Sequence, residues 1–206
     1  MDFNKKQHWD EVYTTKTPEQ VSWTQKVPNI SLKLIANLSL PKESNIIDIG
    51  GGDSNLVDFL LEEGYQNISV LDISEKAISK AKIRLGDKAS KVNWIVSDVL
   101  DFKPEKNYDL WHDRAAFHFL TNKNEIGHYA ETIKRYVTKG LIIATFSTEG
   151  PLKCSGLNIT QYSENTLLNL FQNDFKITEC ITDEHITPFN TTQNFLYCSF
   201  KRNTLI

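Results

Sequence analysis

The chain has 206 residues and a composition ordinary for a globular protein, with 40% hydrophobic and 24% charged residues, so it can bury a sizeable core as one domain. Its formal net charge of -3 gives no overall basic field that would recruit nucleic acid, and its apolar runs are too short for a membrane span. The N-terminus lacks the apolar core of a signal peptide. Cys154, Cys180 and Cys198 are widely spaced; they indicate neither a zinc site nor a disulfide framework and favour a reducing cytoplasm.

The N-terminal stretch is predicted to form a helix over residues 4–15 with an irregular aromatic face. That face contains Phe3, Trp9, Val12 and Tyr13, and a polar stretch leads from it to Trp23. So many aromatic residues ahead of the first predicted strand indicate either a helix packed on the core or a lid over a ligand. We favour the lid.

A buried strand is predicted at residues 45–49, after a helix over residues 29–38. Gly50, Gly51 and Gly52 then allow a sharp turn and the close approach of a ligand, and a helical apolar stripe follows. A strand, a glycine turn and a helix N-terminus together form a nucleotide-binding corner.

The residues around this turn narrow the choice of ligand. The dinucleotide fingerprint G-x-G-x-x-G requires a glycine where the chain has Asn55, and a pyrophosphate would fit badly beside Asp53. Asp48, two residues before Gly50, indicates a ligand that carries positive charge. The pattern therefore disfavours NAD, although a generic turn of another α/β protein remains the alternative.

Two further predicted strands each end at a carboxylate. Residues 67–71 lead to Asp72, about twenty residues after the glycines, and residues 92–96 lead to Asp98. Because the second strand ends beside the first, Asp72 can accept hydrogen bonds from both hydroxyls of a ribose. Asp98 either contacts the ligand or caps a turn. Between them, a helix is predicted from about Ser74 to Leu85.

The fourth predicted strand, residues 108–111, is followed by the candidate catalytic residues. His112, Asp113 and His118 are the local candidates for a general base, and His185 is a distant one. Asp113 could equally attract a cationic amine of a substrate, and Arg114 could attract an anionic substrate. The alternative is an internal Asp113–Arg114 ion pair with one histidine packed in the core.

The remaining chain is predicted to form helices over residues 122–137 and 162–171, a strand over residues 141–146 and a terminal hairpin of residues 175–186 and 193–201. A long polar loop after residue 146 contains Cys154, and loops of that length at this edge tend to be functional. A lone cysteine is more often structural than reactive.

The glycine turn and the strand-end acids resemble motif I and its partners in the class I S-adenosylmethionine (SAM)-dependent methyltransferases. Trp9, Tyr13 and Trp23 are similar to the W-x-x-x-Y…W entry segment of protein lysine methyltransferases acting on elongation factors, and more loosely of the thiopurine and tellurite enzymes. The resemblance implies a doubly wound α/β fold of the Rossmann-like type, with a mostly parallel seven-stranded sheet and an antiparallel C-terminal hairpin strand. It implies one domain over residues 1–206, with residues 1–27 as a lid and residues 28–206 as the core.

The resemblance implies SAM as cofactor and S-adenosylhomocysteine (SAH) as product. The family pattern places a carboxylate at Asp98 on the adenine amino group and the N–H of the next residue on a ring nitrogen. The implied cofactor-binding residues are Trp9, Tyr13, Trp23, Asp48, Gly50, Gly52, Asp72, Ile73, Asp98, Val99 and His112. No metal ligand is implied.

Three functions fit this pattern. We favour a methyltransferase for a small, neutral or weakly charged acceptor, acting in the cytoplasm as a monomer or homodimer without nucleic-acid or membrane partners. A protein lysine methyltransferase is the alternative, but its usual lysine-glycine pair after the fourth strand is replaced here by His112-Asp113-Arg114. The third possibility is a SAM-binding module without turnover.

Overall fold

The computed structural model describes residues 4–203. The six α-helices in that part of the chain are Lys5–Thr15 (α1), Asn29–Asn37 (α2), Leu56–Glu62 (α3), Glu75–Leu85 (α4), Lys123–Tyr136 (α5) and Glu164–Phe171 (α6). Its nine strands are Asn45–Ile49 (β1), Asn67–Asp72 (β2), Val92–Val96 (β3), Tyr108–Arg114 (β4), Val137–Phe146 (β5), Lys153–Cys154 (β6), Leu157–Asn158 (β7), Phe175–Ile186 (β8) and Thr192–Arg202 (β9).

The main sheet has seven strands in the order β3-β2-β1-β4-β5-β9-β8. The first five in this order are parallel, whereas β9 runs antiparallel to both β5 and β8. The chain moves outward from β1 to β3 on one side and then crosses back to place β4 on the other side of β1. In open α/β sheets a ligand crevice forms at such a switch point, outside the carboxyl ends of the strands.

The hydrophobic core has two parts, one on each face of the sheet. Ile46 belongs to one cluster with Leu34 and Leu60, and the next residue of β1, Ile47, belongs to the other with Ile133. Successive strand residues point to opposite faces, so a central strand that helices cover on both sides needs apolar residues throughout. This explains the unbroken apolar run before the glycine turn.

The structure confirms the predicted doubly wound α/β fold with its seven-stranded, mostly parallel sheet and antiparallel C-terminal strand. β4 is longer than predicted and includes His112, Asp113 and Arg114. The polar loop after β5 contains the small hairpin of β6 and β7. Phe3, which the sequence predicts on the aromatic face of the first helix, lies outside the described residues.

The expectation of no disulfide is wrong. Cys180 on β8 and Cys198 on β9 are disulfide-bonded, with Cα atoms 4.3 Å apart, while Cys154 is free and buried. The two cysteines are 18 residues apart in sequence, but the register of the hairpin places them directly opposite each other. Within residues 4–203, the helices are too short or too polar to cross a membrane.

Candidate functional site

The glycine turn after β1 is closely packed beneath its backbone. Gly50 has φ +67°, and the N–H groups of Gly50 and Gly51 both donate to the carbonyl of Leu71, at 2.7 and 3.3 Å. A Cβ atom on Gly51 would collide with Asp48 Oδ2, and one on Gly52 would lie 2.7 Å from Asp72 Oδ2. The turn therefore needs glycine because its backbone lies against these two carboxylates.

Asp48 is a buried acid with one oxygen that lacks a partner. Asp48 is only 2% exposed, and its Oδ1 lies 2.7 Å from Nδ1 of His112 on the neighbouring strand. His112 Nε2 lies 2.9 Å from the hydroxyl of Ser31 on α2. Asp48 Oδ2, beside Gly51, has no hydrogen-bond partner among the described residues. A buried carboxylate oxygen requires a donor, so this position suits a cationic ligand group.

Asp72 is oriented by two backbone groups at the end of β2. Its Oδ2 accepts the N–H of Gly52 at 3.0 Å, and its Oδ1 accepts the N–H of Ser74 at 2.8 Å. Burial raises the pKa of Asp72 to about 6, although these two N–H groups oppose the shift. Since a carboxylate has about four acceptor sites, each oxygen can still accept a hydroxyl.

Asp98, which follows β3, caps a turn, which is one of the two roles that the sequence predicts for it. Its Oδ1 accepts the N–H of Leu100 at 2.9 Å. Asp98 and Val99 nevertheless line the same cavity as Asp72 and Ile73. The strand-end acids of β2 and β3 are therefore brought together on one cavity.

This first cavity lies at the carboxyl ends of β1 to β4 and contains about 820 Å³ of empty space, including solvent at its mouth. Its lining includes Trp9, Tyr13, Trp23, Gly50, Asp72, Ile73, Asp98 and Val99 from the predicted cofactor residues, and also Arg114, Phe119 and Cys154. A second cavity adjoins it across Tyr13, Trp23, Gly50 and Arg114 and reaches Asp48, Gly51 and His112. Gly52 lines neither cavity, and its N–H group is hydrogen-bonded to Asp72. Apart from Gly52, the predicted cofactor residues thus line two adjoining cavities.

The entry segment, residues 4–28, contributes Lys5, Trp9, Tyr13 and Trp23 to the lining of the first cavity. The Trp9 ring packs edge-on against Trp23 and Phe119, with ring centroids 5.8 and 5.1 Å apart. Asp10 accepts the Ser74 hydroxyl at 2.8 Å and the N–H of Lys76 at 3.4 Å at the start of α4. An acid there complements the unpaired N–H groups of the helix end, so Asp10 fixes α1 over the site.

Three side chains of the core hold the backbone of the entry segment near Trp23. Arg114 Nη1 donates to the carbonyl of Trp23 at 2.9 Å, and His185 Nε2 lies 2.7 Å from the carbonyl of Ser22. Asn55 Nδ2 donates to the carbonyl of Gln25 at 3.1 Å. The segment is therefore tied to β4, β8 and the start of α3.

Asp113 lies on the opposite face of β4 from Arg114 and lines neither cavity. Its residue is 0% exposed, and its carboxylate accepts the N–H groups of Ala116 and Phe117, both at 3.0 Å, and the Tyr129 hydroxyl at 2.5 Å. Burial raises the pKa of Asp113 to about 6. Strand alternation turns the Asp113 side chain away from the face of β4 that carries Arg114, so this placement gives no support to the predicted catalytic role.

His118 is likewise removed from both cavity linings. It is fully buried, its Nδ1 accepts the N–H of Phe146 at 3.4 Å, and burial together with the charge of Arg114 lowers its pKa to about 3. Such an imidazole is neutral and weakly basic. Of the three local candidates for a base, only His112 lines a cavity, and both of its nitrogens are engaged.

Sequence reasoning missed several residues that build the site. Asp10 and Ser31 act from α1 and α2, and neither residue belongs to the patterns singled out in the sequence. Arg84 joins Asp53 and Asp58 at 2.8 and 2.9 Å and so fixes the loop after the glycines. These contacts join residues 26 to 81 positions apart in sequence, so local spacing carries no signal for them.

Comparison with known proteins identifies similar methyltransferases. Residues 46–140 match the family described as a methyltransferase domain. The chain is 34% identical over 107 residues to malonyl-[acyl-carrier protein] O-methyltransferase 2 of Ilyobacter polytropus, a match covering 52% of the chain and 39% of that relative. The chain spans less than half the length of the malonyl-[acyl-carrier protein] O-methyltransferases that it matches.

Solved structures share the fold over nearly the whole chain. A SAM-dependent methyltransferase from Anabaena variabilis superposes with a TM-score of 0.74 at 16% identity, covering 98% of this chain and 96% of that one. The 1,6-didemethyltoxoflavin-N1-methyltransferase of Burkholderia thailandensis, solved with 1,6-didemethyltoxoflavin and SAH, superposes with a TM-score of 0.68 at 17% identity, covering 96% and 84%. At these identities the likeness establishes the fold.

Proposed function

We propose that this chain, which carries a methyltransferase domain in the class I Rossmann-like fold, transfers a methyl group from SAM to a small-molecule acceptor. The observation that carries the proposal is the placement of three acids, Asp48, Asp72 and Asp98, at or just past the carboxyl ends of β1, β2 and β3, where they line two adjoining cavities together with aromatic residues of the entry segment. A cofactor with a cationic end, a ribose and an adenine matches that series of groups.

The residues present fit SAM at each of these groups. Asp48 Oδ2, buried without a partner beside Gly51, would bind the ammonium. The glycine turn leaves room for close approach, and Asp72, already oriented by Gly52 and Ser74, would accept the ribose hydroxyls. Asp98 and Val99 would meet the adenine at the far end of the cavity. When bound, SAM supplies an electrophilic methyl group on a sulfonium.

The chain contributes positioning and exclusion of water. Trp9, Tyr13 and Trp23 cover the cavity, and an aromatic face over a desolvated cation is attractive by about 1–2 kcal/mol. In-line displacement depends on holding the nucleophile at a near-attack distance, which can supply most of the acceleration. Because Asp113 and His118 lie outside the cavities and both nitrogens of His112 are engaged, we propose transfer without a general base from these residues.

A small acceptor fits the enclosed site better than a protein side chain does. The entry segment is tied down through Asp10, Arg114, His185 and Asn55, which restricts access to the cavity from above. Of the similar proteins named above, one is named for malonyl-[acyl-carrier protein], whose malonyl group is carried on a protein, and the other for the small molecule 1,6-didemethyltoxoflavin. A monomeric or homodimeric state and the absence of nucleic-acid partners remain predictions. A cytoplasmic location also remains a prediction, but the Cys180–Cys198 disulfide removes the argument from the cysteines on which it rested.

Transfer can be tested with methyl-labelled SAM and a cell extract separated into protein and small-molecule fractions. We expect label in the small-molecule fraction, and a strong reduction with Asp48→Asn. Label confined to the protein fraction would favour the protein lysine methyltransferase. SAH binding with label in neither fraction would favour a module without turnover.

A further inference from the structure

Arg114 is a cation at the junction of the two cavities without an acidic partner. Its Nε donates to the Tyr197 hydroxyl and its Nη1 to the carbonyl of Trp23, both at 2.9 Å. Its Nη2 is buried and has no hydrogen-bond partner among the described residues. None of the ion pairs found within residues 4–203 includes Arg114.

The surroundings of the guanidinium leave its charge uncompensated. One face stacks on the ring of Phe195, at 4.7 Å from the centroid, and the two hydrogen-bond acceptors are neutral. The charge is felt by nearby groups, since after burial it is the next cause that lowers the pKa values of His118 and His185. Burying an arginine nitrogen without an acceptor is costly, so the chain retains a donor that a ligand can satisfy.

The position of Arg114 separates it from the two acids assigned to the ribose and the adenine. Arg114 lines both cavities together with Gly50 and Trp23, whereas Asp72 and Asp98 line the first cavity alone; Asp48 lines the second. Cys154, buried and with a pKa raised to about 11 by burial, also lines the first cavity and is a neutral thiol. Arg114 therefore lines a part of the cavity surface that extends beyond the ribose and adenine acids, and we assign that part to the acceptor.

We propose that Arg114 binds a carboxylate of the methyl acceptor. The inference rests on the proposed function and specifies its substrate class: a small acid rather than a neutral molecule or an amine. A planar guanidinium recognises a carboxylate by charge-assisted hydrogen bonds, and Nη2 is the nitrogen available here. The bound carboxylate would also neutralise the charge between β4 and the entry segment.

The first test separates small molecules of a cell extract into anionic, neutral and cationic fractions by ion exchange and incubates each with methyl-labelled SAM and the wild-type protein. We expect label in the anionic fraction. Label only in the neutral or cationic fraction would overturn the carboxylate inference and leave the proposed function standing. Label in no fraction, with SAH binding intact, would reject methyl transfer to small molecules and the inference with it.

The second test assigns the carboxylate to Arg114. With the anionic fraction as acceptor at subsaturating concentration, Arg114→Met should lower the initial rate at least tenfold, and Arg114→Lys should give an intermediate rate. SAH affinity should stay within about threefold of wild type in both. Tyr197→Phe, which removes the Nε partner without changing charge, and Arg135→Met, at an exposed position on α5, are the controls.

Each other outcome is informative. If Arg114→Met and Arg114→Lys both weaken SAH binding more than tenfold, Arg114 serves the carboxylate of the cofactor or holds the entry segment, and the inference is overturned. If Tyr197→Phe reduces the rate as strongly as Arg114→Met, the effect comes from local structure and the inference is again overturned. Circular dichroism melting curves would confirm that the variants compared are folded.

Discussion

Asp48 and His112, on the neighbouring strands β1 and β4, form a buried pair with Oδ1 and Nδ1 2.7 Å apart. The pairing is continued by the Ser31 hydroxyl, so α2 and both strands hold the acid in one orientation. A neutral His112 that donates from Nδ1 accepts the hydroxyl proton of Ser31 at Nε2. The other oxygen of Asp48 is thereby kept beside the glycine turn.

Asp48→Asn keeps the shape of the side chain and removes its charge. A hydrogen bond between charged groups contributes about 1.5–3 kcal/mol, so SAM affinity should fall about 10- to 150-fold by calorimetry. Asp109→Asn, on the same sheet at the amino end of β4, is the matched control and should leave affinity unchanged. Equal SAM affinity in wild type and Asp48→Asn would exclude Asp48 from the cofactor site.

Asp72 should make SAH binding depend on pH. Its pKa of about 6 means that the free protein holds the acid mostly protonated at pH 5 and ionised above pH 7. The ionised form accepts both ribose hydroxyls, so affinity should rise as pH rises through about 6. Calorimetry should give binding about tenfold weaker at pH 5 than at pH 7.5. A pH-independent affinity in the wild-type protein would contradict this role.

His118 should make stability sensitive to acid. Its pKa is lowered to about 3 by burial, whereas the unfolded side chain titrates near 6.5. The stability that neutral His118 contributes is complete above pH 6.5 and is lost as pH falls toward 3, which amounts to about 2 kcal/mol at pH 5. Urea unfolding at pH 5 and 7.5 should show a smaller acid loss for His118→Phe than for wild type.

Comparing wild type with His118→Phe cancels the contribution of the buried acids to the pH dependence of stability, which has the opposite sign. Asp72 and Asp113 have raised pKa values, so their contributions fall as pH rises from about 4 to 6 in wild type and variant alike. Only the difference between the two pH slopes reports His118. Parallel slopes would mean that His118 is already solvated or paired.

Trp9 should contribute to cofactor affinity as part of the lid. Trp9→Ala removes the ring that packs on Trp23 and Phe119, and a loss of about 1–2 kcal/mol corresponds to about a 5- to 30-fold weaker affinity for SAM. Trp9→Phe should recover part of it. Trp94→Phe, on β3 beneath α4, is the control. The lid proposal fails if deletion of residues 1–26 leaves SAM affinity unchanged.

The fold was predictable because its signals are local. Apolar runs and glycine punctuation marked β1, β2 and β3 within one residue of their observed ends. Catalytic roles were not predictable in the same way. Asp113 and Arg114 are adjacent in sequence, yet the pleat of β4 sends them to opposite faces, and the length of β4 depends on pairing with β5. The role of Asp10 and the Cys180–Cys198 disulfide were not predictable either, because both depend on contacts between residues that are distant in sequence.

The central claim, that the two adjoining cavities hold SAM, is tested most directly by calorimetry of the wild-type protein with SAH, 5′-methylthioadenosine and NAD. The account predicts saturable binding of SAH, weaker binding of 5′-methylthioadenosine because it lacks the ammonium that Asp48 would bind, and no binding of NAD. Binding of NAD without binding of SAH would contradict it.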